Sequence, residues 1–455
     1  MSSSKNGIHI LVFPFPAQGH MLALLDLTHQ LSHKGLKITV LVTPKNLPIL
    51  NPLLSSNPSI QTLILPFPTH PSIPPGVENV KDLGNHGNIP IMTALNQLQG
   101  EIIRWFESHS NPPVALLSDF FLGWTQNLAQ QIGIPRICFC STAAFLISVF
   151  NHLFENDDAV IPGDEVNFHD LPLGPSFSWE QVPSLFRRYR EAELGLELVK
   201  DSMMANKLSW AKVFNSFVGL EDEFLDYFRK KMGLSRVFSI GPLNLMGGPN
   251  MTSVNDDEKD GLFSWLDQCD DGSVLYVCFG SQKLLKKAQI EALAIGLERS
   301  GVRFIWVVKT PTAQQGRVSG RGYVIKGWAP QARILSHRGV GGFLSHCGWN
   351  STLEAIGAGV MILGWPMEAD QFINAKLLVD YKGAAFRVCE GGDTVPDPVE
   401  LGKVISESMH GDVVERVRAK ELREKAWEAI KVGGSSSRDL DVLVQELGQL
   451  QVKNV

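Results

Sequence analysis

Residues 8–43 read IHILVFPFPAQGHMLALLDLTHQLSHKGLKITVLVT. Residues 8–15 are a short apolar run punctuated by Pro14 and ended by Pro16, which is the reading of a buried strand. Residues 21–33 repeat apolar side chains at helical spacing and are closed by Gly35. A second apolar run over 36–43 completes a strand–helix–strand unit, the building block of a parallel sheet. The alternation returns with a run at 114–121, a helix expected over 122–131 and ended by Gly133, and a strand at 137–141. The proline-rich stretch 66–75 reads as a surface loop, and 155–210 shows no steady period.

After a strand-like 237–240, residues 249–259 turn polar and acidic and read as an interdomain linker. Beyond it come strands at 274–279, 302–308, 341–344 and 360–364, with helices at 286–299 and 351–358. The expected fold class is therefore α/β, with two doubly wound, Rossmann-like domains. The boundaries read from the sequence are 1–248, the linker 249–259, 260–434, and a final segment 435–455. That last segment is expected to be an amphipathic helix packing back on the N-terminal domain.

With 455 residues the chain exceeds what one core normally serves. A formal charge of -6, from 47 acids against 41 bases, offers no basic face for nucleic acid. The six cysteines, Cys138, Cys140, Cys269, Cys278, Cys347 and Cys389, form no CxxC pair and no zinc-ligand spacing, which suits a reducing compartment. Pro14, Pro16, Gln18, Gly19, His20 and Asp26 interrupt the N-terminal apolar stretch, so neither a signal core nor a membrane span is expected. The expectation is a cytoplasmic monomer. The acidic groups Asp256-Asp257-Glu258 and Asp270-Asp271 lie in linker and turn contexts and read as solvated acids, with no metal assigned.

The densest chemistry lies between residues 328 and 371. It runs Trp328-Ala329-Pro330-Gln331, then His346-Cys347-Gly348-Trp349-Asn350-Ser351, then Glu354, Trp365-Pro366 and Asp370-Gln371. This pattern resembles the signature box of plant UDP-glycosyltransferases, and the resemblance extends over nearly the whole chain, including Asn215-Ser216-Phe217 with Leu220-Glu221. It implies the GT-B architecture, two Rossmann-like domains facing a cleft, with a UDP-sugar as co-substrate and no cofactor.

The residues support the resemblance on physical grounds. Residues 346–351 join an apolar strand to a helix start, where unpaired N–H groups and the helix dipole favour a diphosphate. Gly348 permits close approach of backbone, Asn350 and Ser351 are suited to capping the helix while donating to phosphate, and His346 is able to donate or carry charge. Trp328 offers a flat face for a base, a contact worth about 1 to 3 kcal/mol. Glu354, one turn after Asn350, is placed to accept from both ribose hydroxyls. Asp370 and Gln371 open a further helix with acceptors and an amide donor for sugar hydroxyls. The resemblance adds that the base is uracil, that Gln331 joins the ribose group, and that Gly280-Ser281 reaches the phosphates. It also implies glucose as the sugar, because the last box residue is Gln371, where galactose users carry histidine.

His20 follows the first strand and precedes a helix, the position where open α/β sheets hold ligands. Asp119 ends the apolar run 114–117 at the equivalent edge of the same sheet. A neutral imidazole taking a proton from an attacking hydroxyl, oriented by Asp119, would activate a weak nucleophile. The family reading is a single inverting displacement onto a flavonoid or other phenolic acceptor. Phe15, Phe120, Trp124 and Phe145 are candidate walls for that acceptor.

UDP-rhamnose-dependent transfer to a flavonol is one alternative, and a nucleotide-sugar-binding protein without turnover is another. A nicotinamide enzyme would carry GxGxxG after its first strand, where this chain has Pro14-Phe15-Pro16-Ala17-Gln18-Gly19-His20. A hydrolase using Cys347 or a serine would need an elbow such as GxSxG, which is missing. One departure from the family is the short connection from Val308 to Trp328, which lacks a Leu-Pro-x-Gly-Phe segment found in most relatives.

Overall fold

The computed structural model describes residues 7–191, 197–248, 260–280, 283–309, 316–318 and 320–453. Its contacts divide the chain into two compact units, Met1–Trp179 with Leu185–Thr252 and Glu428–Val455, and Glu180–Ser184 with Ser253–Trp427. The expected linker, 249–259, and with it Asp256-Asp257-Glu258, lies outside the described residues.

The first unit contains strands β1 (His9–Phe13), β2 (Lys37–Val42), β3 (Gln61–Ile64), β4 (Ala115–Asp119), β5 (Arg136–Cys140), β6 (Val166–Asn167), β7 (Ser176–Phe177), β8 (Ala211–Phe214) and β9 (Val237–Ser239). Seven of them form one parallel sheet in the order β3-β2-β1-β4-β5-β8-β9. Strands β1, β4 and β5 are buried along their whole length, which is why each reads as a continuous apolar run instead of an alternating one. The helix Gln18–His33 buries Leu24, Leu25, Leu27 and Leu31 against this sheet. The helix Ser435–Lys453 adds Leu440, Leu443 and Leu447 to the same core, each contributing about 2 kcal/mol by leaving water. Its start is held by the Ser436 hydroxyl, which donates to the Gly241 carbonyl at 2.6 Å.

One expectation for this unit needs correction, and one stretch left open by the sequence acquires structure. The stretch 122–131 is not one helix: a 3₁₀ turn over Phe120–Leu122 precedes a helix that begins only at Thr125. The Asp119 carboxylate accepts from the Phe121 N–H at 2.8 Å and holds that turn, and a Cβ on Gly123 would lie 1.8 Å from the Ser202 carbonyl oxygen. The region 155–210 also has more order than its weak period suggested. It holds the antiparallel pair β6–β7 and the helices Ser184–Glu191 and Glu197–Ala205, each too short to impose a period.

The second unit contains β10 (Val274–Cys278), β11 (Arg303–Val308), β12 (Gly316–Val318), β13 (Gly322–Lys326), β14 (Val340–Ser345), β15 (Met361–Gly364) and β16 (Ala385–Arg387). They form one sheet in the order β12-β13-β11-β10-β14-β15-β16, parallel except where β12 runs against β13. In the shortened connection between Val308 and Trp328, residues 310–315 and 319 lie outside the described residues. The core of this sheet gathers Leu275, Val277, Leu344, Leu363 and Trp365.

The chain reverses its winding at one place in each sheet, between β1 and β4 in the first and between β10 and β14 in the second. Loops leaving such neighbouring strands diverge to opposite faces and leave a crevice at their carboxyl ends. Those two places carry most of the polar chemistry described below. Among the described residues no helix is long and apolar enough to cross a membrane.

Candidate active site

The loop after β1 turns directly into the helix Gln18–His33, so His20 stands in its first turn. Asp119 is the last residue of β4, the strand beside β1. The two meet closely: His20 Nδ1 lies 3.0 Å from each carboxylate oxygen of Asp119. The Asp119 side chain is fully buried, whereas that of His20 keeps 21% of its surface exposed. An ionised carboxylate only accepts, so this contact holds the proton on Nδ1 and leaves the Nε2 lone pair as the basic position.

Aromatic rings enclose the imidazole. Phe120 stacks on it at 5.3 Å with a 19° tilt, Phe121 lies 4.6 Å away, and Phe15 meets it edge-on at 5.4 Å. Of the four aromatic residues expected to face an acceptor, Phe15 and Phe120 therefore border His20. Trp124 instead packs edge-on against Phe13 at 6.0 Å, and Phe145 stacks on Phe224 at 4.3 Å.

In the second unit the residues singled out between 328 and 371 assemble around the ends of β10 and β14. The helix Trp349–Ala358 starts immediately after the turn at Cys347 and Gly348. Gly348 is its N-cap, so Asn350 and Ser351, expected to cap the helix, lie inside its first turn. Ser351 faces elsewhere: its Oγ accepts from Gln331 Nε2 at 2.9 Å, and the same nitrogen donates to Glu354 Oε2 at 2.7 Å. The buried Tyr276 hydroxyl donates to Gln331 Oε1 at 3.3 Å, which fixes the amide's orientation. Gln331, Ser351 and Glu354 thus form one hydrogen-bonded group. Burial pushes the Glu354 carboxyl up to about 7, against the lowering effect of the Gln331 bond.

The His346 ring keeps some accessible surface but is tightly walled. A Cβ on Gly280 would lie 2.6 Å from His346 Nε2, and one on Gly348 would lie 2.5 Å from the same atom. Burial, reinforced by the nearby Lys309 ammonium, pushes the ring down to about 4. Of the two roles expected for His346, donating or carrying charge, burial disfavours the second in the unliganded protein. Its Nδ1 is buried with no hydrogen-bond partner among the described residues.

Cys347 sits in the left-handed region with φ 64 and is buried, and burial pushes its thiol up to about 12. Such a thiol is no nucleophile. Trp328 is 57% exposed, with Ala329 half-buried beside it. Trp349 is buried and Asn350 half-buried at the start of the helix. Asp370 precedes the helix Gln371–Lys376, and its carboxylate accepts from Asn374 Nδ2 at 2.8 Å. Gln371 Oε1 accepts from the Met367 and Glu368 N–H groups at 2.9 and 3.1 Å, so its amide nitrogen is what it offers a ligand. Ser281 lies outside the described residues. Among the described residues no group of three or more His, Cys, Asp or Glu side chains is gathered as metal ligands, and Asp271 pairs with Arg338.

Several supporting residues were not singled out for these roles in the sequence. Arg136, fully buried at the start of β5, donates to Ser118 Oγ, Asn206 Oδ1, Ser209 Oγ and the Asp119 carbonyl. A charged residue opening an apolar run was the available signal. Asn374 Nδ2 also holds the Cys347 carbonyl at 2.9 Å, one helical turn after Asp370. Ser141, at the end of β5, lies within hydrogen-bond reach of both His20 and Asp119.

Comparison with known proteins agrees with this layout. The family model described as UDP-glucoronosyl and UDP-glucosyl transferase matches residues 243–407. UDP-glycosyltransferase 89A2 of Arabidopsis thaliana is 54% identical over 452 residues, covering 98% of this chain and 97% of that protein. Flavonol 3-O-glucosyltransferase UGT89B1 of the same plant is 48% identical over 460 residues, covering 97% and 96%. The crystal structure of Arabidopsis thaliana UGT89C1 complexed with UDP-L-rhamnose matches with a TM-score of 0.82 at 40% identity, covering 98% of this chain and 100% of that one. Identity of this order along nearly the whole chain, on a fold of the GT-B class, means that the chain belongs to the plant UDP-glycosyltransferases, enzymes that transfer a sugar from a UDP-sugar donor.

Proposed function

We propose that this enzyme transfers glucose from UDP-glucose to a phenolic hydroxyl of a flavonoid-type small molecule in one inverting displacement, with His20 as the base. The observation that carries the reading is the pair His20–Asp119, with Nδ1 3.0 Å from both carboxylate oxygens. The acceptor hydroxyl gives its proton to His20 Nε2 as its oxygen bonds to the anomeric carbon and the bond to the UDP oxygen breaks. Asp119 steadies the imidazolium that forms. The rings of Phe15, Phe120 and Phe121 around His20 suit a planar aromatic acceptor.

For the donor, we assign uracil to the exposed Trp328 ring, beside Ala329, and the ribose hydroxyls to Glu354 and Gln331. The diphosphate is assigned to the start of the helix Trp349–Ala358, with His346, Gly348, Asn350, Ser351 and the loop that holds Ser281. Asp370 and the Gln371 amide nitrogen are assigned to the sugar, with Trp349 shaping the turn behind it. Residues 1–248 form the acceptor-binding domain and 260–434 the donor-binding domain in this reading. No metal is assigned, one copy of the chain suffices, and six unpaired cysteines suit the cytoplasm.

Gln371 and the 48% identity to a flavonol glucosyltransferase favour glucose. Rhamnose is the second reading, favoured by the relative bound to UDP-L-rhamnose. The test is incubation with UDP-glucose, UDP-rhamnose, UDP-xylose or UDP-galactose against a flavonol panel, following UDP release and product mass. Fastest release is expected with UDP-glucose, and fastest release with UDP-rhamnose reverses the sugar assignment. His20→Ala is expected to lower turnover by at least ~10²-fold while UDP still binds. Turnover in that variant comparable to wild type removes His20 from the mechanism.

A further inference from the structure

Among the described residues, three that are not glycine stand in the left-handed region: Leu173, Cys347 and Ala369, with φ of 64, 64 and 57°. Two of them belong to the second unit, and each directly precedes a residue of the proposed donor site, Cys347 before Gly348 and Ala369 before Asp370. A residue with a Cβ is strained in that conformation and stays there only where its surroundings hold it. The two turns follow β14 and β15, which are paired neighbours in the sheet. The Cys347 N–H donates to Ser345 Oγ at 3.1 Å, a restraint from within its own turn.

Asn374 reaches both turns. It is fully buried in the helix Gln371–Lys376, and its Nδ2 donates to the Cys347 carbonyl at 2.9 Å and to Asp370 Oδ2 at 2.8 Å. Two acceptors match the two hydrogens of the amide nitrogen. Its Oδ1 is buried with no hydrogen-bond partner among the described residues. Turning the amide over would set that oxygen against a carbonyl and a carboxylate, so the two turns fix its orientation and the unpaired acceptor is the cost. The Asn374 N–H also donates to the Asp370 carbonyl at 3.1 Å, so the backbone and the side chain of Asp370 are tied to one residue.

We propose that Asn374 is a positioning residue for the sugar donor, acting through Cys347 and Asp370 and touching neither diphosphate nor sugar. Through the Cys347 carbonyl it holds the turn whose next residue, Gly348, starts the helix assigned to the diphosphate. Through Asp370 it aims the carboxylate assigned to the sugar hydroxyls. One side chain thereby sets the spacing between the phosphate grip and the sugar grip, which a donor held at both ends has to match. The proposal deepens the donor reading given above and rests on it, and its test separates the two.

Kd for UDP and for UDP-glucose is measured by calorimetry in wild type, Asn374→Ala, Asp370→Ala, the double variant of these two, and Asn374→Ala combined with Cys347→Gly. Asn374→Ala is expected to raise Kd about fivefold for UDP and about thirtyfold for UDP-glucose. The extra loss on UDP-glucose is expected to vanish in the Asp370→Ala background, because the sugar part of the effect runs through that carboxylate. The loss on UDP is expected to be recovered in part by Cys347→Gly, since glycine takes a φ of 64° without strain and needs less outside hold. Asn374→Ser, whose single hydroxyl proton serves one turn at most, takes the place of alanine if that variant does not fold. A Kd within about twofold of wild type for both ligands overturns the proposal. So does a loss equal for the two ligands, an extra loss that persists in the Asp370→Ala background, or a UDP loss that Cys347→Gly leaves undiminished; each describes a merely structural residue and leaves the donor assignment standing. Asp370→Ala binding UDP-glucose as tightly as wild type removes that carboxylate from the donor site, and with it the assignment on which the proposal rests.

Discussion

Lowering the pH from 8 to 6 is expected to weaken UDP-glucose binding about tenfold through Glu354. Burial holds that carboxyl at about 7 in the free protein, with Gln331 Nε2 2.7 Å away as its hydrogen-bond donor. In the proposed site the two ribose hydroxyls donate to Glu354, which requires the ionised form. About nine-tenths of the molecules are ionised at pH 8 and about one-tenth at pH 6, so affinity follows that fraction. Affinity is thus fully present above 7 and falls as the pH drops below it. The stability of the free protein moves the other way, because a carboxyl raised from 4.5 contributes stability at low pH that is lost as the pH climbs to about 7. His346, pushed down to about 4, does not titrate in this window, and the diphosphate diester of UDP-glucose stays fully ionised across it. The assay is quenching of tryptophan fluorescence as uracil covers the exposed Trp328 ring, with calorimetry in two buffers to count protons released on binding. Glu354→Gln is expected to bind more weakly at pH 8 and to lose the slope. A wild-type Kd constant within about twofold from pH 6 to 8, or a slope that survives in Glu354→Gln, contradicts the assignment of Glu354 to the ribose.

Gly348→Ala places a methyl 2.5 Å from His346 Nε2 and forces the ring from its slot, so KM for UDP-glucose is expected to rise by about tenfold or more, with a smaller change in kcat. An unchanged KM in steady-state kinetics argues against His346 as part of the donor site. Glu221→Ala strips the partners from two N–H groups and a hydroxyl at the start of the helix Ala144–Glu155, and is expected to cost about 3 kcal/mol in urea unfolding. A loss below about 1 kcal/mol shows that water replaces the carboxylate there.

The proposed donor site could be read from the sequence because its residues come from short contiguous segments. Residues 346–351 and 370–371 keep their spacing whatever the rest of the chain does, and a strand–turn–helix junction makes an anion site by local geometry alone. What the sequence left open there was electrical. Two histidine states and an ordinary glutamate look identical in a string of letters, whereas the Gly280 and Gly348 backbones that wall in His346 come from loops on two different strands. The parallel sheets were legible for a related reason, since strands buried on both faces, such as β1 and β14, show unbroken apolar runs. The half-exposed edge strand β3 offers no such run and escaped notice.

The base side is assembled differently, and this explains which of its members were visible. His20 and Asp119 are 99 residues apart and Ser141 is 121 residues from His20. Only the rule that ligands gather at the carboxyl ends of strands flanking the switch in winding connects them. That rule identifies Asp119, an acid at the end of an apolar run, because burying a carboxylate needs a reason. It cannot separate Ser141 from any serine that starts a loop, since a hydroxyl is cheap to place almost anywhere. The aromatic candidates divide on the same principle. Phe15 and Phe120 follow closely on the ends of β1 and β4 and meet the imidazole, whereas Trp124 and Phe145 stand further past the ends of β4 and β5 and meet Phe13 and Phe224. Distance along the chain from a strand end at the switch point, more than residue type, therefore sorts the aromatic residues that meet His20 from those that pack on other rings.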